Sequence, residues 1–192
     1  LKLKVYLIKN YNLEINTYEL IEYKIFPVPH LSIKGSKLSF KEKPIFFNSK
    51  ETNIFLNLKS IYNYDNLMLR KIELNQSKVE LESDRIKDFV SSLINLKKKI
   101  DFKNLNIILK SGGKTISRID KIQFSNYGYK KNNITGEVFN KKFELDFENT
   151  KLSFKMKNTG INISILLNEK STYKQFSGTS TVNILSNFLK MN

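Results

Sequence analysis

The sequence predicts a mainly β protein: an elongated, twisted antiparallel sheet, groove-like in form, with one short amphipathic helix. Three observations predict it. Apolar side chains recur with period two through most of the 192 residues, the mark of strands that bury one face and wet the other. Turn-forming residues punctuate that alternation. One stretch of helical periodicity interrupts it.

In chain order, residues Leu1 to Lys9 fit either a weak helix or a strand. Alternation then begins at Leu31 and Ile33, resumes at Leu38 and Phe40, and continues through Ile54, Leu56 and Leu58. Ile72 and Leu74 are out of phase with Val79 and Leu81, so a bulge is expected between Gln76 and Lys78. From Asp84 to Leu96 the apolar residues are Ile86, Phe89, Val90, Leu93, Ile94 and Leu96, at the spacing of a helix with one buried stripe. Ser83 or Asp84 can cap it, and Lys97, Lys98 and Lys99 follow its end, which suits the helix dipole. Further strands are expected at Ile100 and Phe102, Leu105 and Ile107, Ile116 to Ile119, and Ile122 and Phe124. The cleanest alternation lies at Phe143, Leu145 and Phe147, at Leu152, Phe154 and Met156, and at Ile161, Ile163 and Ile165. Turns are expected at Gly112 and Gly113, Asn132 and Asn133, Glu148 and Asn149, and Asn158 to Gly160, which makes the whole an antiparallel meander. Ile184 to Met191 is compatible with the start of a last helix.

Composition excludes more chemistry than it suggests. There is no cysteine, hence no disulfide, thiolate metal site or thiol nucleophile, and His30 is the one histidine. Triads and multi-histidine metal centres are therefore excluded as working hypotheses. Lys and Arg number 33 against 18 Asp and Glu, a net charge of +15, which invites nucleic acid or an anionic surface. The lysines are spread evenly, alanine and tryptophan are absent, and Lys, Asn, Ile, Phe and Tyr are enriched together. That is the imprint of an AT-rich genome, and it reads the lysines as solvated strand faces. No run reaches the roughly 18 apolar residues of a transmembrane helix. Neither a signal-peptide pattern nor an initiator Met opens the chain, so it is expected to be one region, 1–192, of a longer protein.

Each polar cluster has a plain structural reading. His30 follows Pro27 and Pro29, which force an extended corner between strands. Glu144, Asp146 and Glu148 share one strand face, as do Glu80 and Glu82, and both sets read as solvated. Gly112, Gly113 and Lys114 sit between strand-like segments and read as a hairpin turn rather than a phosphate loop. Interleaved lysines and aromatics such as Tyr127, Tyr129, Lys130 and Lys131 could stack bases, but against the AT-rich background they read as composition. No catalytic residue, metal site or cofactor is expected.

The order of pieces resembles the AsmA family of bacterial envelope proteins. The resemblance rests on Phe26, Pro27, Val28 and Pro29 leading into Leu31 and Ile33, then on the strand pair from Leu69 to Leu74 and Val79 to Glu82. It continues through the helix, the strands from Ile100 to Leu109 and Ile116 to Phe124 about the Gly112 turn, and the strands at Ile134 to Val138 and Phe143 to Leu145. It implies a curved sheet with an apolar groove, anchored in the bacterial inner membrane by a span outside this segment and facing the periplasm. It implies a non-enzymatic role in phospholipid transport or outer-membrane assembly, with acyl chains and possible fellow envelope proteins as partners. No nucleic acid is expected as a partner. On the residues alone, a basic nucleic-acid-binding β domain and a closed β-sandwich scaffold or adhesion module stay open. If the sheet is open, its groove candidates are Ile72, Leu74, Val79, Leu81, Phe102, Leu105, Ile107, Phe143, Leu145 and Phe147.

Overall fold

Thirteen strands join in one sheet in the computed structural model, which describes residues 2–42, 45–57, 68–96, 98–126, 131–148, 150–168, 178–184 and 187–191. The elements are α1 (Lys2–Tyr11), β1 (Leu13–Thr17), β2 (Leu20–Lys24), β3 (His30–Phe40), β4 (Phe46–Leu56), β5 (Leu69–Glu82), a 3₁₀ turn (Ser83–Arg85) and α2 (Ile86–Ile94). They continue with β6 (Ile100–Ser111), β7 (Lys114–Ser125), β8 (Lys131–Val138), β9 (Lys141–Glu148), β10 (Lys151–Met156), β11 (Ile161–Leu167), β12 (Gly178–Ile184) and β13 (Asn187–Met191). From β3 to β13 each strand pairs with its neighbour in sequence, while β1 and β2 lie end to end on the free edge of β3. Among the described residues the sheet does not close into a barrel.

The expected class holds, and several details are corrected. The meander is not antiparallel throughout: β5 and β6 run parallel, from Ile72 opposite Ile100 to Glu82 opposite Lys110. The helix explains this. A hairpin reverses the chain at once, whereas α2 carries it back across the sheet face so that β6 starts at the same end as β5. The expected helix is present as the 3₁₀ turn plus α2, but no side-chain cap forms at Glu82 or Arg85. The ambiguous first segment is a helix. Leu3, Val5 and Leu7 alternate, yet Leu3, Tyr6, Leu7 and Tyr11 form a helical stripe, and the latter wins because Leu7 and Tyr11 bury completely while Val5 stays exposed. The possible last helix is instead the end of β12 and β13. Asn132 and Asn133 lie inside β8, not in a turn. Leu58, Lys97, Tyr127, Tyr129, Lys130 and Asn149 lie outside the described residues.

The expected bulge is also a different object. Pairing of β5 with β4 and with β6 keeps one register through Gln76, so no extra residue is inserted. Instead, Gln76 has a positive φ of 50° and the side-chain phase inverts there: Leu74 and Ser77, three apart, are both buried. The same inversion occurs on each neighbouring strand, at Ile33 and Ser36, Ser49 and Thr52, Phe102 and Leu105, and Ile122 with half-buried Ile119. Gly35, Asn104 and Lys121 take positive φ at these points. A crease thus crosses the sheet from β3 to β7. It reaims every strand while keeping the apolar residues on one face. Small hydroxyl residues fill the inner side of the bend, where Ser36 and Thr52 share a buried 2.8 Å hydrogen bond.

Both helices lie on that apolar face. Leu7 and Tyr11 of α1, and Phe89 and Leu93 of α2 with Leu96 beyond it, join the core of β1 and β3 to β7. An aromatic row runs from Phe89 to Phe40, Phe47, Phe102 and Phe124, with ring centroids 5.5 to 6.4 Å apart. Asn126 seals the end of the crossover. Its buried amide donates to the carbonyls of Leu96 and Lys98, and its oxygen accepts from the Ile100 amide.

Candidate functional site

Cross-strand partners share a face, so the apolar face can be traced strand by strand. Phe124, buried in the core, stands opposite Ile134. From there one row continues through Leu145, Phe154, Ile163, Val182 and Leu189. A second row links Phe147, Leu152 and Ile165, and a third links Gly136, Phe143, Met156 and Ile161. The core face of β3 to β7 therefore extends without a break across β8 to β13.

Its covering does not. Among the described residues, no helix residue joins an apolar cluster beyond Ile134. Phe143, Leu145, Phe147, Leu152, Phe154, Met156, Ile161, Ile163 and Ile165 are half-buried, and Ile184 and Leu189 are about half exposed at 46 % and 54 %. Phe143 stacks on Phe154 at 6.1 Å and lies over the bare backbone of Gly136, where a Cβ would stand 2.9 Å from its ring. The opposite face carries Lys, Glu, Asp, Ser, Asn and Thr at the alternate positions, with exposed Leu166 as an apolar exception. Among the described residues, neither a helix nor a second sheet lies against the apolar side of β8 to β13, which leaves a contiguous apolar face unroofed.

The ten groove candidates divide on this boundary. Ile72, Leu74, Val79, Leu81, Phe102, Leu105 and Ile107 are buried beneath the helices and within the core, so they pack on protein and are corrected from groove to core. Phe143, Leu145 and Phe147 lie on the uncovered face. The alternation at Leu152 to Met156 and Ile161 to Ile165 marks the residues that belong beside them.

The polar clusters form ion-pair ladders on the outer face. Glu51 accepts from Lys34 at 2.5 Å, Ser32 at 2.7 Å and Lys24 at 3.2 Å, and these donors, Lys34 foremost, hold its carboxyl down to about 2. Burial pushes the Glu73 carboxyl up, but hydrogen bonds from Lys71 and Lys103 outweigh it and leave the group below the usual range. Lys110 and Lys78 likewise hold exposed Glu80 at about 2. Asp146 accepts from Asn133 at 2.8 Å and Glu148 pairs with Lys131 at 3.8 Å. No group of three or more metal-ligating side chains comes together among the described residues. His30 is buried at the start of β3, its Nδ1 2.6 Å from the Val28 carbonyl and its ring stacked on Phe55 at 4.9 Å. That is a packing role. Gly112 and Gly113 form the β6–β7 hairpin turn.

No described helix is long and apolar enough to cross a membrane. No protein-family model matches the chain, and no curated protein matches it.

Proposed function

We propose that this protein is a non-enzymatic component of the bacterial envelope that holds phospholipid acyl chains against the inner face of β8 to β13. In this reading it sits on the periplasmic side of the inner membrane, tethered by a span outside this segment, and serves phospholipid transport or outer-membrane assembly. One observation carries it: the apolar rows through Leu145, Phe154 and Ile163 continue the core face but lie outside the helix cover. The resemblance of the strand order to the AsmA family supports the same role.

The energetics suit a carrier. Burying a methylene contributes about 0.8 kcal/mol, and a chain lying on one surface buries roughly half of each. About 15 methylenes then supply on the order of 6 kcal/mol, which corresponds to a Kd of roughly tens of micromolar. Such an affinity allows a chain to load and to leave.

The test measures co-purifying phospholipid by mass spectrometry, and binding of the hydrocarbon dye diphenylhexatriene, for the wild type and for Leu145→Asp and Phe154→Asp. The wild type is expected to retain both ligands, and each variant to lose at least about tenfold while keeping its fold, since a carboxylate in the row costs a bound chain several kcal/mol. A wild type that captures neither lipid nor dye rejects the reading.

A further inference from the structure

The crease leaves a cavity on the outer face, about 540 Å³ in volume, within the range of small-ligand sites. Phase inversion at Gly35 and Gln76 is what builds it. On ordinary strands Lys34 and Lys37 would project from opposite faces; with the inversion both line this cavity, together with Asn48, Lys50, Gln76 and Lys78. Two of these lysines are engaged, Lys34 by Glu51 and Lys78 by Glu80. Among the described residues Lys37 and Lys50 are exposed and form no ion pair, as is also true of Arg118 on β7. One carboxylate also reaches in: Glu19 lies over the bare backbone of Gly35, its carboxyl occupying the space a Cβ would need. The protein thus brings one carboxylate of its own to an open cavity lined by four lysines, and it forms an ion pair with none of them.

We propose that this crease cavity binds a phosphate group, with Lys37 and Lys50 as its principal ligands and Glu19 as an internal anion that the phosphate displaces. Lysine suits the task because its ammonium is a mobile point charge that needs no fixed fork geometry, and the cavity walls focus the field. Asn48 and Gln76 offer amide donors beside it. The site is independent of the acyl-chain surface, which lies on the other face of other strands. A phosphate could arrive on a soluble molecule or on a lipid headgroup, and the chemistry of recognition is shared.

The experiment uses pyrophosphate, followed by calorimetry at low salt, and phosphatidylcholine vesicles with and without phosphatidylglycerol, followed by flotation. The proteins are the wild type, Lys37→Ala/Lys50→Ala, Glu19→Gln, and Lys151→Ala/Lys155→Ala as a control of equal charge on β10. Each is first checked for an unchanged thermal melt. The wild type is expected to bind at least one probe, the Lys37/Lys50 variant at least about tenfold more weakly, and Glu19→Gln more tightly, with the control near wild type. Pyrophosphate binding alone assigns a soluble phosphate compound; binding only to vesicles with phosphatidylglycerol assigns a headgroup. Binding of neither probe overturns the proposal. So does an equal loss in both double variants, which would show diffuse attraction to a basic surface.

Discussion

The sheet has two regions built from the same alternation and finished differently. β3 to β7 are long, eleven to fourteen residues each, creased, and roofed by α1 and α2. β8 to β13 run five to eight residues, hold no positive φ within the strands, and have no described helix on their apolar face. Leu74 and Leu145 occupy equivalent alternating positions, yet the first is fully buried and the second only half so. What differs is the cover, not the strand. An apolar strand face therefore becomes closed core or half-open surface according to what the rest of the chain lays upon it.

The largest effect separates the regions by burying a charge. Phe102→Asp places a carboxylate among Phe47, Phe124 and Leu74 with no partner, at a cost of several kcal/mol against a whole stability of about 5 to 15. No cooperative melt is expected. Leu145→Asp leaves its carboxylate able to reach water, and its melt is expected within about 1 kcal/mol of wild type. Equal unfolding by both would erase the distinction between the two regions. A step smaller, Phe89→Ala removes the ring that ties α2 to Phe40 and is expected to cost about 3 to 5 kcal/mol by denaturant titration. Phe154→Ala is expected to cost well under half of that, because half of its ring surface gains nothing from folding.

The legible part of this fold follows from what periodicity encodes. Period two placed strands at Phe143 to Phe147 and Leu152 to Met156 because each strand's choice of face is local. The spacing from Ile86 to Leu93 marked α2 for the same reason. Which apolar face a helix covers is a tertiary fact, so Ile107 and Leu145 look alike in the sequence and separate only in space. In the structure both helices precede residue 97, and the strands after Asn126 have no helical partner in the described chain. The parallel pair was hidden because alternation carries no direction, although a helix between two strands should have suggested a crossover. The crease showed itself only as a broken phase between Leu74 and Val79. Its repetition across β3 to β7 emerges only when the registers are aligned.

Acid probes the roofed region at smaller amplitude. The Glu51 carboxyl is held at about 2, below its ordinary 4.5, by Lys34, Ser32 and Lys24. A depressed carboxyl contributes stability that is complete above the ordinary value and is lost as pH falls through the folded one. The contribution is on the order of 1 kcal/mol once solvent screening of a carboxylate that is 25 % exposed is allowed for. Melting temperature is expected to drop between about pH 4.5 and 2 in the wild type. In Glu51→Gln that drop should be shallower, with a lower plateau at neutral pH. An identical acid profile would remove the Glu51 cluster from the energetics of β3 and β4.

The smallest effect tests the crease itself through a change of sign. Gln76 holds a φ of 50°, where a side chain costs about 1 to 2 kcal/mol and glycine is at ease. Gln76→Gly removes that strain but loosens the unfolded chain, so the net expectation is a stabilisation of a few tenths to about 1 kcal/mol. Ser153 lies within β10, paired with Asp146 and Ser164 and outside any positive-φ position. There the strain term vanishes and only the entropy term survives, so Ser153→Gly should destabilise by roughly 0.5 to 1 kcal/mol. Gly35→Ala supplies the reverse test within the crease. Its φ of 56° disfavours a Cβ, and that atom would meet the Glu19 carboxylate, so the variant should lose stability. Glu19→Gln/Gly35→Ala would keep the loss, because an amide fills the same space as the acid; Glu19→Ala/Gly35→Ala would recover the steric part and leave the backbone part. Chemical denaturation of these variants reads the opposite signs directly. Destabilisation by Gln76→Gly equal to that of Ser153→Gly would mean that the strand at Gln76 is ordinary and that the phase inversion costs the fold nothing.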